Sequence, residues 1–193
     1  MVAPERTRRR IEDAREAIIA TTWELLDDRT WTDLTVADIC RAADVAPRTF
    51  HRWFPEKAEL LFAHTSLHET SLAASLARHV PRDVADVRAG LRAVLADSIA
   101  LVEPYGAAEF GKRLATIASA DELVARDLLK RSRLTEMVAA ALEPHLPEPG
   151  AHAVAGALLA AMQSALVAWA AGGGPLADCV DRALAALAVV APA

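Results

Sequence analysis

Arg48, Thr49, His51 and Arg52 follow Pro47 directly, and all four side chains can address nucleic acid. An arginine fork matches the acceptor edge of guanine, a threonine hydroxyl reaches a base edge or a phosphate, and histidine does either. Such a set is useful only on a rigid element that fits the major groove. The flanking residues predict one. Thr35-Val36-Ala37-Asp38 is a capping-box start, in which a threonine oxygen takes an orphan amide and the aspartate reaches back. The short helix it opens runs from Val36 to Ala43, and Asp44-Val45 makes a turn at which Asp tolerates a left-handed backbone. Pro47 suits the first position of the next helix, where its missing N–H has no partner anyway. Val36, Ile39, Val45, Phe50 and Phe54 lock the two helices together, leaving Pro47, Arg48, Thr49, His51 and Arg52 outward. This is a helix-turn-helix.

The elements around it are helical throughout. Good helix formers dominate, and alternating runs of Val, Ile, Thr and Tyr are missing, so the fold class is all-α, with about nine helices. The first helix is expected over Arg8 to Asp28, with Trp31 and Leu34 folding back on it. A long fourth helix is expected from about Glu56 to Arg78, then Asp83 to Val102 and Tyr105 to Ala118. A seventh is expected from a Ser119-x-x-Glu122 capping box to Leu142. The last two span 151–171 and 176–190. The domain organisation is a head over residues 1–57 and a helical body over 58–193.

Charge is a local argument here. The net charge is −5, and residues 1–60 hold ten Lys and Arg against twelve Asp and Glu. Screening limits the reach of each charge to about 8–10 Å, so what counts is where the cations point. Arg6, Arg8, Arg9 and Arg10 form one cluster, read equally as a DNA-following arm or a solvated tail. Arg48, Arg52 and Lys57 form another.

Thr35 to Ile39, Ala42 to Ala46, Arg48 to Lys57 and Leu60-Leu61 closely resemble the DNA-binding head of the TetR family of transcriptional regulators. The resemblance covers about residues 10–62. It implies a homodimer that binds a palindromic operator, a repressor released by a small-molecule effector, and a cytoplasmic location. It also places Lys57 on a phosphate. The DNA-facing set is then Thr35, Pro47, Arg48, Thr49, His51, Arg52 and Lys57. Two residues depart from the family pattern: Asp44 stands where the turn commonly has Gly, and His51 where Tyr is usual.

In the body, residues 153–171 are almost wholly apolar. Their alanine richness, the lack of basic anchors and the amphipathic neighbours argue against a membrane span. A helix apolar on all sides must be buried on all sides. A partner subunit packed on 151–171 and 176–190, including a stripe of Leu176, Val180, Leu184 and Leu187, would achieve that. Residues that are large or polar in apolar surroundings are the effector-pocket set: His64, His68, Tyr105, Phe110, Met137, Met162 and Gln163. Each fits ordinary packing as well.

Enzyme chemistry finds no support. There is no glycine-rich phosphate loop and no nucleophile elbow, and no histidine has Glu three residues before it, as a di-iron bundle needs. No cofactor and no metal are expected; His64 and His68 lack a third ligand at suitable spacing. Cys40 and Cys179 read as reduced thiols. Residues 1–15 are charged and lack the apolar core of an export signal. The rival reading is a helical dimeric interaction protein that does not bind an operator.

Overall fold

The computed structural model describes residues 5–63 and 65–187. Nine α-helices occur among the described residues: α1 (Glu5–Leu25), α2 (Val36–Ala42), α3 (Pro47–Trp53), α4 (Thr65–His79), α5 (Val87–Val102), α6 (Ala107–Ala118), α7 (Asp121–Leu142), α8 (Gly150–Ala170) and α9 (Leu176–Leu187). No strand occurs among the described residues. Short 3-10 segments lie at Lys57–Phe62 and Glu103–Tyr105.

Two compact units emerge. The head comprises residues 5–63 together with Thr116–Leu123. Its first core joins Ile18 and Ile19 of α1 to Leu34, Ile39, Cys40, Phe50, Phe54 and Leu60. Its second joins Trp31, Ala58, Leu61 and Phe62 to Ile117 and Leu123. The head therefore runs past the expected boundary at 57/58. Ala58, Leu60, Leu61 and Phe62 are all buried, and a segment buried on every side belongs inside the head.

The expected long fourth helix is divided: Lys57–Phe62 is 3-10, and α4 begins at Thr65. Leu60 enters one head core while Ala58, Leu61 and Phe62 enter the other, so the segment packs in two directions. α1 starts earlier than expected, at Glu5, and the backbone there is helical rather than an extended arm; Arg9 and Arg10 on it are exposed. The capping box expected at Ser119 does not form. Ser119 Oγ donates back to the Thr116 carbonyl at 2.7 Å, and Glu122 Oε1 instead accepts from the Trp31 indole.

The body comprises Thr65–Ala115 and the described chain from Val124. α4 and α5 approach closely at Gly90, where a Cβ would stand 2.2 Å from the His79 carbonyl oxygen. Asp97 on α5 fastens the pair. Its Oδ2 accepts from buried Ser75 Oγ at 2.6 Å and lies 3.2 Å from His79 Nε2 and 3.4 Å from Arg78 Nη1. One body core is built from Leu76, Val80, Leu91, Val94, Val138, Ala139 and Leu142 with Ala151 and Ala155. The other joins Ala165 and Trp169 of α8 to Leu176, Cys179 and Val180 of α9.

The apolar stripe on α9 is thus largely internal. Leu176 and Val180 are buried in the chain's own core and Leu184 packs against it. α8 is long and apolar enough to cross a membrane by length and composition alone, yet its buried positions, Ala151, Ala155, Ala161, Ala165 and Trp169, face its own chain. Its opposite side, with Ala153, Ala160, Ser164 and Val167 at helical spacing, is exposed.

Candidate nucleic-acid interface

The α2–α3 hairpin is positioned from its first residue. Thr35 Oγ1 accepts the Asp38 amide at 3.1 Å, and Asp38 Oδ2 accepts the Thr35 amide at 3.2 Å, so the capping box is complete. The Thr35 hydroxyl donates to the same carboxylate at 2.6 Å. Arg29 and Arg41 close on Asp38 at 3.3 and 3.0 Å. These bonds favour the ionised form and hold the Asp38 carboxyl down at about 2, the Thr35 hydroxyl contributing most. Thr35, expected among the DNA-facing residues, has its hydroxyl committed to this cap.

Asp44 makes the turn with φ 51°, the left-handed conformation its side chain suits, and the Val45 amide then donates to the Cys40 carbonyl at 3.0 Å. α3 starts at Pro47 as a helix start should. Phe50 and Phe54 anchor its inner side, with ring centroids 5.6 Å apart. On the outer side Pro47, Arg48, His51 and Arg52 are exposed and Thr49 is half-buried. Arg52 rests its guanidinium over the Trp53 ring at 5.4 Å, and the His51 ring meets Phe50 edge-on at 5.5 Å. A stacked guanidinium keeps its edge N–H groups free to reach outward.

Lys57 lies elsewhere than on that surface. Its Nζ donates to the carbonyl oxygens of Trp31 and Leu34 at 2.7 and 2.8 Å and sits 4.0 Å from the centre of the Trp31 ring. Burial pushes the ammonium below its usual range, and Glu122 partly opposes this. Trp31 is buried and donates its indole N–H to Glu122 Oε1 at 2.6 Å. The phosphate contact expected of Lys57 becomes a brace for the loop between α1 and α2. The reason is a contact distant in sequence: the 3-10 segment starts within reach of the Trp31 and Leu34 carbonyls, 26 and 23 residues back. Sequence reasoning named Lys57 and Trp31 but not their bond, and Glu122 stands 91 residues from Trp31.

The expected effector residues separate. His64 lies outside the described residues. Phe110 and Met162 pack with Trp169, the Phe110 ring 5.7 Å from the indole. Met137 lines a groove of about 310 Å³ between α4 and α7, with Ala73, Leu76, Ala77, Val80 and Ala141. Tyr105 is exposed, and His68 and Gln163 are half-buried. Of the set, Met137 alone lines that groove.

A family model described as bacterial regulatory proteins, tetR family, matches residues 18–64. The regulators EthR of Mycobacterium tuberculosis and of Mycobacterium bovis, described as HTH-type transcriptional regulators, are 42% identical over 57 residues, 29% of this chain and 26% of theirs. The match thus spans about a quarter of their length. The crystal structure of FadR from Thermus thermophilus, a TetR family transcriptional repressor in complex with lauroyl-CoA, is 22% identical with a TM-score of 0.59, covering 88% of this chain and 91% of that one. That likeness extends the common fold from the head to the body. The head thus matches the tetR family model in sequence over residues 18–64, and the fold of the described residues is similar to that of a TetR family repressor.

Proposed function

We propose that the chain is a cytoplasmic repressor that binds a palindromic operator as a homodimer and leaves it when a small molecule occupies the body. The observation that carries this reading is the outer side of α3. Arg48, His51 and Arg52 are exposed while Phe50 and Phe54 behind them are buried, which is the division a recognition helix needs. Two-fold binding calls for a dimer, and the exposed side of α8 supports one. Ala153, Ala160, Ser164 and Val167 present small side chains over which a second copy can pack closely, and Val167 is 50% exposed in the single chain. Exposed Ala177, Ala185 and Ala186 on α9 continue the surface. A ligand-bound structural relative supports effector control.

The test is selection of bound fragments from genomic DNA, followed by titration of the recovered duplex. Arg48→Ala and Arg52→Ala should each weaken binding about 5- to 150-fold, about 1–3 kcal/mol, while the dimer persists on size exclusion. Loss of the dimer with either substitution, or recovery of no enriched sequence, overturns the reading.

A further inference from the structure

The last turn of α3 carries His51 beside Arg52, with Arg48 one turn before. His51 is exposed, its ring meets buried Phe50 edge-on, and neither ring nitrogen is hydrogen-bonded among the described residues. Arg52 leans over Trp53, and Arg48 forms no ion pair among the described residues. The charged groups on the elements packed against α3 are engaged elsewhere. From α1, Arg15 lays its guanidinium over the Phe54 ring at 5.1 Å. From α2, Asp38 is held by Thr35, Arg29 and Arg41. Lys57 of the 3-10 segment is committed to the two loop carbonyls. Among the described residues no carboxylate of α1, of the turn at Asp44, or of the segment holding Glu56 and Glu59 pairs with His51. The partner that decides the charge of this ring is therefore one that meets it from outside.

The first residues of a recognition helix address base edges, and those further along meet the backbone. Arg48 is placed for the bases, while His51 and Arg52 in the last turn fall to phosphates. Histidine changes its charge between pH 5 and 8, and an adjacent anion favours the charged form. We propose that His51 meets a DNA phosphate as an imidazolium, so that each subunit takes up a proton from solvent on engaging duplex DNA and binding tightens as pH falls. The added proton sits on a ring nitrogen, whose N–H then donates to a phosphate oxygen. Arg48 and Arg52 keep their charge throughout this range, so they set affinity without making it depend on pH. The proton is then a second ligand of the operator complex, an addition that rests on the DNA-binding reading above. A phosphate that raises the pKa of a histidine by about one from the ordinary 6.5 strengthens binding about sixfold per subunit between pH 8 and pH 6, and about 35-fold for two subunits.

The experiment titrates the full chain at pH 6 and pH 8 with two probes. One is the duplex recovered by genomic selection, the other a mixed-sequence duplex of about 30 base pairs at low salt, long enough for two half-sites. The native chain should bind either duplex about tenfold or more tightly at pH 6 than at pH 8. Its gradient of log affinity against log salt should steepen at pH 6 by up to about one unit per subunit. His51→Gln should bind equally at the two pH values within about twofold, with the shallower gradient at both. His51→Lys, charged at both, should show the steeper gradient throughout and no pH dependence. The native titration needs no variant, so a folding defect in either substitution leaves the proposal testable. A flat native titration, a pH dependence that survives His51→Gln, or equal salt gradients at the two pH values would overturn it. Selective binding of the recovered duplex without pH dependence overturns the proton linkage and spares the regulatory reading. Binding of the mixed-sequence duplex that tightens at pH 6 through His51, in a chain that selects no sequence, does the reverse.

Discussion

Replacing Lys57 by methionine separates two roles that one side chain cannot hold in full. Methionine keeps an apolar stem against the Trp31 ring and removes the ammonium. In the structure that ammonium donates at 2.7 and 2.8 Å to two loop carbonyls and lies 4.0 Å from the ring centre. A hydrogen bond from a charged donor contributes about 1.5–3 kcal/mol net, and a half-buried cation–π contact about 0.5–2 kcal/mol. Against this stands the desolvation of the ammonium, whose direction is visible in its lowered pKa. Water can also reach part of the loop after the change. The net loss should therefore be about 2–3 kcal/mol, near the value of one charged hydrogen bond. Trp23, Trp31 and Trp53 lie in the head and only Trp169 in the body, so tryptophan emission in urea reports mainly on the head. With a slope of about 1–3 kcal/mol per molar, the midpoint should fall by about 1 M or more at unchanged slope. The salt dependence of operator binding should keep its gradient, since no phosphate contact is lost. An unchanged midpoint, with a gradient reduced by about one unit, would refute the brace and restore Lys57 to the phosphates.

Three further outcomes follow from the same geometry. Asp38 is more acidic in the folded head, at about 2, than in the unfolded chain, so its contribution is complete above about pH 4 and is lost as pH falls through about 2; the urea midpoints of the native chain and Asp38→Asn should differ at pH 6 and converge only as pH falls through about 2, and a constant gap would remove Asp38 from the cap. His152 lies 2.6 Å from Glu148 and 3.1 Å from Glu136, and these carboxylates, Glu148 foremost, raise its pKa. Its contribution is therefore full below about pH 6.5 and is lost as pH rises through the higher folded value, so the native chain should exceed His152→Gln in melting temperature at pH 5.5 and match it at pH 9; a gap that widens with pH would contradict this. Gly90→Ala would place a methyl group 2.2 Å from the His79 carbonyl, forcing α4 and α5 apart at a cost of about 1–3 kcal/mol, and a melting temperature equal to that of the native chain would show that the helices are not held so closely.

What could be read in advance divides along the chain by the range of the interactions involved. The hairpin of α2 and α3 was legible because every device in it is local. The Thr35 cap reaches three residues, the Asp44 turn needs one left-handed residue, and Pro47 starts its helix by lacking a donor. Helix positions in the body followed from proline, glycine and periodicity for the same reason. The misjudged features are those settled by partners distant in sequence. Ser119-x-x-Glu122 has the form of a capping box, yet Trp31 takes the glutamate from the other end of the head, and a buried indole N–H without an acceptor would cost more than an exposed cap is worth. Lys57 follows the same competition: the resemblance implies a phosphate contact, but the carbonyls of Trp31 and Leu34 lie within reach. The apolar stripe on α9 reads from the sequence as a partner's surface, while Leu176 and Val180 have a nearer claimant in Trp169 of their own chain. That shifts the case for dimerisation onto the exposed side of α8. There the small side chains Ala153, Ala160 and Ser164 leave the backbone open to close approach, so a bulky residue at Ala160 would test the interface more sharply than any change on α9.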